Sequence, residues 1–196
     1  AGLLATEGSF VYKIDRLKKN KSVMALPVDL KKVWIAKILV AVKNIAISCM
    51  IIFIAGQLSV FVIPMRSESN ISMLSGFVGI LVIIITSIWQ IPLYFYLGSK
   101  IGVFPSIILS LATNIYSIVM ATKRFWIVNP FSYTSRLMCP ILRLLPNGLL
   151  AKEGSKTFTP ELLNISSIPL GIGISVVLFI VITYLTAKWY ERQEVK

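Results

Sequence analysis

Four long stretches of this chain carry no Asp, Glu, Lys or Arg: Asn44–Met65, Ser69–Ser99, Ile101–Thr122 and Leu162–Ala187. Each reaches the ~20 residues that a helix needs to cross ~30 Å of hydrocarbon. Lipid offers backbone groups no water to bond, so a lipid-exposed stretch this long must satisfy its own N–H and C=O groups by winding into a helix. The pattern therefore predicts an all-α, polytopic membrane helix bundle with spans over about residues 33–63, 71–97, 102–122 and 166–189. Residues 1–32 form a polar leader, and 123–165 a long connecting segment outside the membrane.

The polar residues between these stretches refine the elements. In the leader, Phe10, Ile14 and Leu17 recur at i, i+4 and i+7, with Lys13, Asp15, Arg16 and Lys19 mostly off that stripe, which predicts a short amphipathic helix. Such a stripe fits either a partner's groove or the headgroup layer. Asp29 is placed to cap the first span, because its carboxylate can accept orphan backbone N–H groups. Lys37 and Lys43 can snorkel from that span to the interface. Pro64, Arg66 and Glu68 mark a short external turn. In the second span Pro92 predicts a kink, with Trp89, Tyr94 and Tyr96 as interface aromatics. Gly98 to Gly102 is formally GxxxG, but its Lys100 makes it a tight turn. Asn114 reads as a hydrogen-bonding tie between helices.

The segment 123–165 is punctuated by Pro130, Pro140 and Pro146, and carries Trp126, Phe131 and Tyr133 as interface aromatics. Around Pro140, Leu137, Ile141 and Leu144 share one face, with Arg136 and Arg143 opposite. This predicts a kinked or broken helix lying in, or dipping into, the outer leaflet. Asn147-Gly148 turns the chain. Lys188-Trp189-Tyr190-Glu191-Arg192 closes the last span as an aromatic–charge belt.

Composition changes this picture only in part. The chain is 56% hydrophobic and 14% charged with a net charge of +12. The basic residues cluster beside the apolar stretches, and no nucleic-acid motif accompanies them, so membrane orientation accounts for them better than nucleic acid. With four spans both ends share a side; placing them in the cytosol puts thirteen basic residues inside and seven outside. Two cysteines, Cys49 and Cys139, and no His leave no CxxC or Cys–His site. Gly154-Ser155-Lys156-Thr157 lacks the spacing of a phosphate-binding loop. The spans hold no carboxylate for a proton relay, and no catalytic set is visible. The chain reads as no enzyme and binds no metal or cofactor of its own; any energy source lies elsewhere.

Residues Ala1 to Phe10, with Ala25-Leu26-Pro27-Val28 and Val33 to Leu39, resemble the cytosolic loop between the second and third helices of ABC-2 type permeases. Asn129 to Pro140, Leu145-Pro146-Asn147-Gly148 and the ending Lys188 to Lys196 resemble the lantibiotic-immunity branch of that superfamily. The resemblance covers nearly the whole chain. It implies one permease domain over 1–196, with six helices in the full-length family, of which this chain would hold the last four and lack the first one or two. It also implies a second permease subunit, identical or related, and a cytosolic ATPase subunit that supplies ATP and Mg. Glu7, Gly8, Ser9 and Phe10, with Ile14 and Leu17 on the following helix, would lie at the ATPase-coupling surface. Pro130, Arg136, Pro140, Arg143, Pro146, Asn147 and Gly148 would belong to a re-entrant outer segment capping the pathway. The implied activity is export of a lantibiotic or similar membrane-active peptide from a bacterial cell membrane. The alternatives are a permease for another cargo, such as a drug or polysaccharide, and a non-transporting anchor or assembly subunit.

Overall fold

A computed structural model of the chain describes residues 29–62 and 72–192, apart from 153 and 156. The amphipathic leader, the turn at Pro64–Glu68 and the tail beyond Arg192 lie outside the described residues. Among those described, the α-helices are α1 (Leu30–Val62), α2 (Met73–Ser87), α3 (Gln90–Ile101), α4 (Val103–Met120), α5 (Tyr133–Leu142) and α6 (Ser167–Glu191). Short 3-10 turns occupy Trp126–Val128, Pro130–Ser132 and Pro160–Leu163. The one isolated β-bridge among the described residues joins Leu144 to Leu150. Three helices, α1, α4 and α6, are long and apolar enough to cross a membrane, and four spans result if α2 and α3 together form one.

Local chemistry explains the helix limits. Asp29 caps α1 as expected: its Oδ1 accepts from the Lys31 amide at 3.0 Å, and its carbonyl accepts from the Val33 amide at 3.1 Å. The second apolar stretch, expected as one kinked span over 71–97, forms two consecutive helices, α2 and α3, with a bend between them. It is divided at Ile88–Trp89, ahead of Pro92. Proline has no N–H for the carbonyl of Ile88, and its ring crowds that carbonyl, so the disruption falls four residues before the proline itself. Thr86 and Ser87 add to it by donating to the carbonyls of Val82 and Ile83, each at 2.7 Å, a back-bonding pattern that bends helices. Between α3 and α4 the chain turns on Gly102 alone, whose φ of 90° is open to glycine and strained for other residues. The expected tight turn is present there.

The described residues fall into two compact units. The first comprises residues 29–45, 88–112 and 176–192. Its core is built on Trp34, which is 1% exposed. The Trp34 indole stacks on Tyr190 at 4.6 Å between ring centroids and meets Phe95 and Trp189 edge-on at 5.7 and 5.9 Å. Its Nε1 donates to Thr186 Oγ1 at 3.0 Å, while the same hydroxyl donates to the Ile182 carbonyl at 2.7 Å. A hydroxyl can do both, so the buried indole N–H is satisfied. Trp89 and Tyr94, read from sequence as interface aromatics, are buried, as is Tyr190 of the expected terminal belt. Aromatic rings supply large contact areas where helix ends converge, so these side chains pack inward against neighbouring helices.

The second unit comprises residues 46–62, 72–87 and 113–175, apart from 153 and 156. Here the ten-residue α5 packs on α2. Val82, Leu137, Tyr133 and Trp126 form a buried cluster, against which Met138, Ile141, Ile168 and Ile172 pack. Thr86 and Thr134 share a hydrogen bond of 3.1 Å between the two helices. Leu137 fits against Gly171 of α6 so closely that a Cβ there would lie 2.8 Å from a Leu137 methyl. Glycine lets the backbone approach that an apolar bilayer protein uses for helix packing.

Candidate functional site

The candidate site with a described geometry is the segment 121–165, and Arg136 organises it. The sequence set Arg136 on the polar face of its helix, opposite Leu137; in the structure both are buried, Arg136 to 5% exposure. Its Nη1 donates to the Ala121 carbonyl at 3.1 Å, and its Nη2 to the Glu161 carbonyl at 2.8 Å. The guanidinium lies over the Trp126 ring, 5.5 Å from the centroid, and Trp126 meets Tyr133 edge-on at 5.5 Å. Ala121 follows the last turn of α4, where unpaired carbonyls and the helix dipole concentrate negative charge. The buried cation is thus matched by carbonyl dipoles and an aromatic face. Burial presses its proton affinity downward, opposed by Cys139 and by the Glu161 carboxylate; a guanidinium stays charged in proteins regardless. Glu161 turns its own side chain to Arg124, at 3.6 Å and exposed, a pair of little energetic weight.

Around this clasp the chain is closely tied. Asn129 Oδ1 accepts from the Phe131 amide at 3.2 Å and caps the turn that Pro130 opens, while its Nδ2 donates to Ser117 Oγ of α4 at 3.3 Å. Ser132 Oγ donates to the carbonyls of Trp126 and Asn129 at 2.9 and 2.7 Å. Pro140 does not break its helix: α5 runs through it to Leu142. The proline stands in the last turns, where its missing N–H leaves only one carbonyl, that of Arg136, without a helical donor. Arg143 is the C-cap in left-handed conformation, φ 54°, and its side chain is exposed. Leu144 therefore lies beyond the helix rather than on a face shared with Leu137 and Ile141. Asn147 and Gly148 make the expected turn, with Asn147 Oδ1 accepting from the Leu149 amide at 3.1 Å and the Leu145 amide donating to the Leu149 carbonyl at 2.7 Å. After Pro146 the returning chain brings Ala151 back onto a cluster of Cys139, Leu145, Leu162 and Phe158.

Cys139 is buried, and desolvation pushes its thiol up to about 11, with Arg136 acting the other way. Burial also raises Tyr133, whose hydroxyl donates to the Ile127 carbonyl. Both groups stay protonated at neutral pH, so neither is a nucleophile or a base there. No group of His, Cys, Asp and Glu residues that could hold a metal ion occurs among the described residues.

The structure thus unites part of the expected outer-segment set and divides the rest. Arg136 joins Trp126, Ala121 and Glu161, whereas Arg143, Pro146, Asn147 and Gly148 belong to the 143–151 turn. The expected coupling residues Glu7, Gly8, Ser9, Phe10, Ile14 and Leu17 lie outside the described residues. Sequence reading missed the carbonyls of Ala121 and Glu161, because a main-chain acceptor leaves no mark in residue type. A usable signal did exist: an arginine followed by Leu137, Met138 and Cys139 stands in an apolar run, where a buried cation needs acceptors. Compared with protein-family models, curated proteins and solved structures, the chain matches none significantly.

Proposed function

We propose that this chain is the membrane-spanning permease subunit of an ATP-driven exporter of the ABC-2 type, and that its cargo is a lantibiotic or similar membrane-active peptide. The observation that carries this reading is the continuity of the stretch from Glu7 to Lys43: a basic, apolar-striped leader runs directly into α1, a helix long enough to span a bilayer. A cytosolic motor subunit can grip such a leader, and a rigid helix can carry its motion into the membrane. The resemblance of residues 1–10, 129–140 and 145–148 to permeases of that branch supports the same reading. Both ends of the chain are then cytosolic, and residues 123–165 lie outside.

In this scheme ATP closes a separate pair of ATPase subunits, the leader transmits the movement through Phe10, Ile14 and Leu17, and two permease subunits change the access of a lipid-facing cleft. The segment 121–165 serves as the outer cap. Its exposed Phe125, Ile127 and Val128 suit an outer leaflet, and the Arg136 hydrogen bonds to the Ala121 and Glu161 carbonyls support its acting as one body. The reading is tested by co-purification in detergent with the ATPase subunit: Phe10→Asp or Ile14→Asp is expected to abolish association, and retained association counts against it. Peptide resistance that persists with a hydrolysis-dead ATPase favours the non-transporting anchor instead.

A further inference from the structure

In the first unit, lysines and aromatic rings meet at the end marked by Leu30 and Glu191. The Lys100 ammonium stands over the Trp189 ring, 5.4 Å from its centroid, and Tyr96 meets that ring edge-on at 4.9 Å. Lys37 donates to the Tyr190 hydroxyl at 3.3 Å and lies over the same ring at 5.2 Å. Lys188 in the last turn of α6 and Arg192 just past its end, both exposed, lie close in sequence to Trp189. The two described carboxylates at this end are engaged locally: Glu191 with Lys31 at 2.9 Å, and Asp29 with Lys32 at 4.0 Å. Among the described residues cations thus remain in excess at this end, set against rings whose amphipathic edges favour the headgroup level. Next to them in sequence the exposed surface turns apolar, at Ile101 and Phe104 after Lys100 and at Tyr184 and Leu185 before Lys188.

We infer that this end is a docking surface for anionic phospholipid, in which Lys100, Lys188 and Arg192 take the headgroup phosphates, Trp189 and Tyr96 set the depth, and the apolar residues next to them meet the acyl chains. Charge complementarity selects the occupant. A neutral headgroup gains little from three cations, whereas each lysine or arginine near an anionic surface adds attraction that fades beyond a Debye length. The cation–π contact holds the Lys100 ammonium near the ring, so less side-chain freedom is lost when a phosphate arrives. This inference rests on the membrane reading of the chain and is independent of its cargo.

The test uses the full chain reconstituted in phosphatidylcholine vesicles, with tryptophan quenching by brominated phosphatidylglycerol compared with brominated phosphatidylcholine. The wild-type chain is expected to prefer the anionic lipid, less so at high salt. The triple variant Lys100→Gln/Lys188→Gln/Arg192→Gln is expected to lose that preference by on the order of fivefold per charge removed. Lys100→Arg, which keeps the charge over the ring, and Lys123→Gln/Lys152→Gln in the second unit are expected to keep it. Helical circular dichroism identifies any variant that has failed to fold, and Lys100→Arg then carries the comparison with Lys100→Gln alone. An undiminished preference in the triple variant, or an equal loss in the Lys123/Lys152 variant, overturns the inference. Quenching by neither lipid overturns the membrane reading itself, a different result from quenching by both lipids equally.

Discussion

The two units handle charge in opposite ways. In the first, residues 29–45, 88–112 and 176–192, cations sit at helix ends and rest on aromatic faces, as Lys37 does on Tyr190 and Lys100 on Trp189. The core beneath is aromatic and nearly free of charge. In the second, built on α2, α5 and the turns around them, a cation is buried beside a short helix and is bound by main-chain carbonyls. A long apolar helix satisfies its own backbone, so its charges need only reach water at the ends. A segment of short turns leaves carbonyls unpaired, and a forked guanidinium can bind two at once. Charge is peripheral where the backbone is self-sufficient, and central where it is not.

That contrast can be broken at each core separately. The largest effect is expected at Trp34, where Trp34→Ala removes an indole in contact with Phe95, Trp189 and Tyr190 and should cost about 3–5 kcal/mol. Amide exchange in detergent should then rise in residues 30–45 and 176–191, with protection in 133–142 unchanged. Equal loss in both regions would mean that the two cores do not respond separately. Trp34→Phe should cost less, because most of the packing survives and the hydrogen bond to Thr186 is worth only about 1 kcal/mol.

Next in size is Arg136→Met, which leaves two carbonyls without donors and should destabilise the second unit by about 2–3 kcal/mol. Proteolysis between residues 143 and 160 should increase. Arg136→Lys should recover only part of the loss, since an ammonium lacks the planar fork; full recovery would show that charge alone suffices. A third effect, confined to alkaline solution, is expected from pH. The Cys139 thiol is pushed from 9.0 up to about 11 by burial, so the folded state holds that proton more tightly than the unfolded chain. The resulting stability is fully present below pH 9 and is lost as pH rises toward 11. A thermal melt series over that window should show the decline, and Cys139→Ala should flatten it. A decline unchanged in Cys139→Ala would assign it to another group.

Much of this molecule is legible in residue order because its longest helices answer to a solvent rather than to one another. The apolar helices α1, α4 and α6, the Asp29 cap, the turn at Gly102 and the turn at Asn147-Gly148 each depend on a few neighbouring residues, and each lies where the pattern puts it. The burial of Trp89, Tyr94 and Arg136 was not legible. An aromatic residue near a helix end fits the headgroup layer or a helix crossing equally well by composition, and only the packing of Trp34 against α3 and α6 selects the crossing. Likewise, nothing local distinguishes an arginine that faces water from one that finds two free carbonyls. Residue types alone determined that the chain offers several membrane-length helices with cations at their margins. Tertiary structure alone decided which rings and which cation turn inward, because that choice depends on backbone acceptors and neighbouring surfaces far away in sequence.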